Sequence, residues 1–209
     1  CGAGFLDRPE ELERFLDEIF AKCNIQISVK TRLGMEDASE FPELMKLYNK
    51  FPMKELIIHP RVQKDFYKNT PNLEMFAEAF AMSTNPVCYN GDIFCVEDHQ
   101  RICERFPELD AVMSGRGTLT NPALAREIRG GQALTKAELR KFHDLVYHTY
   151  RAEVSGDRNV LFKMKELWFY MGPLFANNKK YLKKIKKSEK CIVYESAVAE
   201  LFSNEELIL

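Results

Sequence analysis

The sequence predicts an α/β fold built on parallel strands and followed by an all-helical segment. Three observations carry this. Four short apolar runs alternate strictly with four amphipathic helical patterns, and such crossovers make parallel sheets. Each run stops abruptly in a polar or glycine-rich tip, at Lys30, His59, Asn90 and Gly115. After Gly130-Gly131 no strand-like alternation returns.

The elements follow in order. Pro9 to about Cys23 reads as a helix, with Leu12, Phe15, Leu16, Ile19 and Phe20 at spacings of three and four. Asp7 is a plausible N-cap, and Pro9 stands near the first helical position. Strands are expected at Ile25–Lys30, Glu55–His59, Pro86–Asn90 and Ala111–Ser114. Helices are expected between them at Glu40–Phe51, Asn72–Met82 and Val96–Phe106. Beyond residue 130 the helical patterns run over Leu134–Arg151, Leu161–Tyr170, Lys179–Lys187 and Ser196–Phe202. The expected domains are therefore 1–130 and 131–209. Parallel strands and helices leave two architectures, an open doubly wound sheet or a (β/α)8 barrel. Both bind ligands at the C-terminal ends of their strands. A full barrel needs eight strands, so four would be the second half of one.

Composition bounds the function. The chain has 209 residues, 45% hydrophobic and 29% charged, which is ordinary for a globular chain with a core. No stretch approaches the roughly 20 apolar residues that cross a membrane, and no signal peptide is visible. None of the six cysteines forms a CxxC pair, and no His/Cys cluster has zinc spacing, so no metal site is expected. Free thiols, mostly small buried apolar residues, fit a cytoplasmic protein. The first residue is Cys1 rather than methionine, which suggests that an N-terminal portion is missing. The net charge of −1 hides an asymmetry: Asp157 to Lys190 holds ten bases and three acids on an otherwise acidic chain. A basic segment of this kind suits a polyanionic partner.

The strand tips carry the chemistry. Asn90-Gly91-Asp92 and Ser114-Gly115-Arg116-Gly117 follow the last two strands. Glycines let backbone N–H groups approach phosphate oxygens, and Arg116 adds a charged fork. The plainer use of each is a tight turn, but two such tips on successive strands favour a phosphate site. Lys30 and Arg32 suit an anion or an electron-rich ring, against the plain reading of two solvated bases. His59 could donate to a carbonyl or hold a phosphate or ring; its plain use is a satisfied histidine at a strand end. Pro60 fixes the exit, and Arg61 is expected to point outward to phosphate or substrate backbone. In the helical part, Lys179, Lys180, Lys183, Lys184 and Lys187 form either a solvated helix face or a contact with RNA phosphates.

VKTRLG (29–34), IIHPR (57–61), YNGDI (89–93) and MSGRG with a following NP (113–117, 121–122) occur in this order. Together they closely resemble the C-terminal half of the catalytic barrel of the tRNA-dihydrouridine synthases, over roughly residues 1–125. FKMKELWFYMG (162–172) looks like that family's C-terminal helical tRNA-binding domain. The resemblance implies the second half of a (β/α)8 TIM barrel followed by an all-α domain. It implies FMN at the barrel mouth, with Lys30 beside the reactive ring and His59 on the cofactor. Asn90, Gly91 and Asp92 with Gly115 and Arg116 would form the phosphate end. It also implies NADPH as reductant and reduction of a tRNA uridine to 5,6-dihydrouridine. The family's general-acid cysteine lies in an Asn-x-Gly-Cys-Pro motif upstream. Cys1 precedes Gly2-Ala3-Gly4-Phe5-Leu6 and lacks the following proline, so no catalytic residue is assigned here.

Three expectations follow from that departure. The chain by itself is not expected to turn over tRNA. Its half-barrel edges would be open to self-association or to pairing with a missing half. The alternatives are a truncated product that keeps only RNA binding, or an FMN-barrel oxidoreductase for a small molecule. The basic helical segment argues against the last.

Overall fold

The computed structural model describes residues 3–208, so the readings placed on Cys1 and Gly2 lie outside the described residues. Among those residues there are four strands in one parallel sheet, ordered β1-β2-β3-β4: β1 Ser28–Arg32, β2 Glu55–His59, β3 Val87–Asn90 and β4 Ala111–Met113. The helices are α1 Pro9–Lys22, α2 Phe41–Tyr48, α3 Leu73–Met82, α4 Val96–Arg105, α5 Arg116–Thr120, α6 Leu124–Ile128, α7 Lys136–Glu153, α8 Asp157–Met171, α9 Lys179–Lys187 and α10 Cys191–Asn204. The chain divides into two compact units: 1–92 with 100–114, and 93–99 with 115–209. No helix among the described residues is long and apolar enough to cross a membrane.

The strict βα alternation is present, and β2 and α9 match their sequence-predicted bounds. Several edges move. Arg8, not Asp7, occupies the N-cap position of α1, and it makes no side-chain cap bond. Strand β1 runs from Ser28 to Arg32 rather than from Ile25 to Lys30, so Lys30 lies mid-strand instead of at the tip, and Ile25 is 74% exposed. Its apolar side chain imitates a strand residue while lying outside the ladder. Helix α10 begins at Cys191, five residues before the expected Ser196, and α8 begins at Asp157. Asp157 Oδ2 accepts from the Cys191 N–H at 2.8 Å and so caps α10 from another helix. A partner this distant in sequence is invisible to local pattern.

In the first unit, side chains alternate between two faces of the sheet. One face carries Thr31, Leu56, Ile58 and Tyr89, all buried. Helices cover it: the Thr31 and Tyr48 hydroxyls lie 2.9 Å apart, and Phe76 meets Tyr89 and Phe106 edge-on with centroids 5.0 Å apart. The other face carries Lys30, Ile57, Cys88 and Ala111 in one row, with Arg32 opposite His59 and Asn90 opposite Met113 in the next. The candidate residues at the ends of β1 to β3 therefore stand on a single face. All but two of the five described cysteines lie away from the core: Cys88 and Cys191 are buried, Cys103 is half-buried, and Cys23 and Cys95 are exposed.

The second unit packs around Leu139, Met164, Trp168, Met171, Phe175, Tyr194 and Leu201. Helix α7 opens with a capping box, in which Thr135 accepts from the Glu138 N–H and Glu138 reaches back to Thr135 N–H. The short helices α5 and α6 were not foreseen, because five residues are too few to show helical periodicity.

Candidate functional site

The tip of β2 does not run outward. Arg61 is 2% exposed, contrary to the expectation that it would face solvent. The reason is an acid far away in sequence. Nη1 donates to Asp92 Oδ1 at 3.0 Å and Nη2 donates to Asp92 Oδ2, a two-armed ion pair. Arg61 Nε donates to the Asn69 carbonyl. Burial of an unpaired guanidinium would be prohibitive, and the Asp92 carboxylate offsets much of that cost.

The same guanidinium reaches His59, whose Nε2 lies 3.0 Å from Arg61 Nη1. His59 is 5% exposed. Burial first, then Arg32, Lys30 and Arg61, push its pKa down to about 3, against the pull of Asp92, so the ring is neutral at pH 7. Tyr67 stacks over it with ring centroids 6.0 Å apart, and the Arg32 guanidinium lies 5.6 Å from the Tyr67 ring centroid. Arg32 also donates to the Val62 and Phe66 carbonyls. The 62–69 loop is thereby tied back over the ends of β1 and β2.

Lys30 occupies the row below. Its pKa is lowered, by burial first and then by Arg32, with Cys88 acting the other way. The residue as a whole is exposed. Cys88 is buried, and burial pushes its thiol up to about 12, with Glu55 acting in the same direction, so it stays protonated. Asn90 Nδ2 donates to the Met113 carbonyl at 2.7 Å, joining the ends of β3 and β4. Gly91 is glycine for a steric reason: a Cβ there would collide with the Tyr89 ring.

Gly115 and Arg116 belong to the second unit. A Cβ on Gly115 would meet nothing within 4 Å, so its backbone lies open. The Arg116 guanidinium sits 5.4 Å from the Phe94 ring centroid. Further along, α9 buries Tyr181 and Ile185 and exposes its lysines. Lys184 pairs with Glu200, and Lys180 lies 4.0 Å from Glu205 and 4.5 Å from the Tyr181 ring centroid. Among the described residues, Lys179, Lys183, Lys186 and Lys187 have no such acidic partner. Lys186, part of the basic stretch but not among the candidate lysines, lies on the stripe of Lys179 and Lys183 by its helical spacing.

Sequence reading also missed Tyr67 and the inward turn of Arg61. Arg61 follows His59 by two residues and Asp92 follows Asn90 by two, but both lie past the strand ends, where alternation no longer fixes a face, so only the fold shows the pair.

Comparison with known proteins agrees in one direction. The family model described as dihydrouridine synthase (Dus) matches residues 1–205. The chain is 32% identical over 131 residues to a tRNA-dihydrouridine(16) synthase of Cupriavidus necator, covering 62% of this chain and 40% of that protein. It is 35% identical over 105 residues to the one of Shewanella oneidensis, covering 50% and 33%. Against that of Vibrio parahaemolyticus it is 24% identical over 197 residues, covering 90% and 59%. The matched part of this chain thus spans only about a third to three fifths of these curated relatives.

Proposed function

The chain belongs to the dihydrouridine synthase family, and we propose that it serves FMN-dependent reduction of tRNA uridine to 5,6-dihydrouridine, with NADPH as electron donor. The four parallel strands are read as the second half of a (β/α)8 barrel, and residues 131–209 as a helical tRNA-binding part.

The observation that carries the proposal is the donor set on one sheet face, Lys30 in the middle of β1 and His59 at the end of β2. Lys30 supplies an ammonium, and His59 supplies a ring N–H, because its other nitrogen faces a guanidinium. Among the described residues no group accepts from His59 Nδ1. A flavin ring presents carbonyl and ring-nitrogen acceptors and gains negative charge on reduction, so these donors fit it. Gly115, whose open backbone no Cβ fills, and Arg116 have the chemistry of phosphate donors.

FMN bound at Lys30 and His59 would supply the hydride for C6 of uridine. Lys30 would bind and stabilise the electron-rich ring through its charge. His59 would orient it by donating from Nδ1. Tyr67, itself 57% exposed, stacks on His59 beside Arg32 and would steady the ring orientation. The buried, protonated Cys88 holds its proton too tightly to serve as the acid at C5. In the helical unit, the exposed α9 lysines would neutralise tRNA phosphates, reading backbone and shape rather than sequence.

The test is nucleoside mass spectrometry of unmodified tRNA incubated with FMN, NADPH and the protein that carries this chain. Dihydrouridine that depends on both cofactors supports the proposal. Tight FMN binding with no dihydrouridine in any tRNA would overturn it.

A further inference from the structure

We propose that Arg61, braced by Asp92, is a positioning residue that locks His59 as its Nδ1–H tautomer, so that β2 ends in a fixed hydrogen-bond donor. The chemistry of the guanidinium requires this. Arg61 can only donate, so the His59 nitrogen 3.0 Å from Nη1 must offer a lone pair. A neutral ring that accepts at Nε2 carries its proton at Nδ1. An imidazolium would set two N–H groups against each other. A free histidine favours the opposite tautomer, so the protein selects the less common one.

Arg61 is itself held from three sides. Nη1 and Nη2 engage both oxygens of Asp92, and Nε donates to the Asn69 carbonyl. Four of the guanidinium's five N–H groups are thereby directed, on a side chain that is 1% exposed. Asp92 is 32% exposed, so it can bind the guanidinium without being fully desolvated itself. The partners lie in three different loops and strand ends of the first unit, which makes the arrangement a property of the fold rather than of one turn. The charged groups facing His59 are Arg32, Lys30, Arg61 and Asp92. Three of the four are cationic, which further disfavours a second proton on the ring.

A donor fixed in this way pairs only with a hydrogen-bond acceptor at its end, such as a carbonyl oxygen or an unprotonated ring nitrogen. That the acceptor belongs to FMN rests on the function proposed above. The tautomer lock does not.

The experiment is a long-range ¹H–¹⁵N correlation spectrum of the ¹⁵N-labelled chain without flavin, with His59 signals assigned through His59→Gln. The expected result is a protonated Nδ1 and a pyridine-like Nε2 that stay unchanged from neutral to mildly acidic pH. In Arg61→Lys, which cannot hold Asp92 and His59 at once, both His59 nitrogens are expected to move toward averaged values. Asp92→Asn, which keeps the guanidinium but loosens it, is expected to shift them in the same direction by less. It carries the comparison if Arg61→Lys does not fold. A protonated Nε2 at pH 7 in the unaltered chain, or a folded variant with unchanged His59 signals, would overturn the proposal. A merely structural ion pair would leave the tautomer untouched. Because no flavin is present, failure here is distinct from failure of the flavin reading, which a later addition of FMN would show on the same signals.

Discussion

The hydroxyl of Tyr194 lies 2.6 Å from Nε2 of His143 and accepts from the Trp168 indole N–H at 2.7 Å. His143 Nδ1 in turn meets Asp144 at 2.8 Å, and Asp144 is held by Arg140. Donation runs in one direction, from Trp168 through Tyr194 and His143 to Asp144, and joins α8, α10 and α7. Each buried polar group in this core is satisfied by the next.

Tyr194→Phe should therefore cost more than one hydrogen bond. It strands the His143 acceptor and the Trp168 donor at once, and each stranded group costs roughly 1–3 kcal/mol. The expected loss is about 2–6 kcal/mol, read from urea unfolding followed by fluorescence of Trp168, the chain's single tryptophan. A loss below about 1 kcal/mol would mean that water replaces the missing hydroxyl.

Acid should weaken the fold before carboxylates titrate. Burial lowers the pKa of His143 from 6.5 to about 4 and that of His59 from 6.5 to about 3. Below 6.5 the unfolded chain binds protons that the folded chain excludes, so stability falls as pH drops through this window. The urea midpoint should decline from pH 7 to about pH 5, and the slope should be shallower in His59→Gln. A flat profile would contradict the buried, neutral state of both rings.

Gly91→Ala should destabilise the first unit by roughly 1–3 kcal/mol, the usual cost of overpacking. The added methyl meets the buried Tyr89 ring, which has Phe76 at its back and little room to move. Thermal denaturation reads the effect. Gly115→Ala, with open space around it, should leave the melting temperature nearly unchanged.

On α9, Lys183→Glu, Lys186→Glu and Lys187→Glu combined should weaken tRNA binding and flatten its salt dependence. Each phosphate that no longer meets a lysine reduces the slope of log K against log salt by roughly 0.7–0.9. Filter binding at several salt concentrations separates this from Lys184→Ala, whose ammonium is already engaged by Glu200 and should matter less.

The parts legible in the sequence were those with local causes. Strand β2 could be read to the residue because Leu56, Ile57 and Ile58 are apolar and Pro60 ends the ladder. Helix α9 could be read because Tyr181 and Ile185 mark its buried stripe among lysines. The start of β1 was misread because Ile25 is apolar yet exposed, and only pairing with β2 decides where the ladder begins. The direction of Arg61 was misread for a similar reason. A guanidinium beside a strand end points to water unless a carboxylate waits for it, and Asp92 is brought there by the next βα crossover. His59 could be named from its strand-end position, whereas Lys30, expected at a strand end, lies in the middle of β1, and the state of the His59 ring needed the fold.

The most direct measurement is an FMN titration of the chain, followed by flavin fluorescence and absorbance, alongside Lys30→Ala and His59→Gln. The account predicts saturable binding that each substitution weakens by tenfold or more, about 1.4 kcal/mol apiece. Saturable binding that ignores both substitutions, or no saturable binding at all, would contradict the assignment of these strand ends as the flavin site.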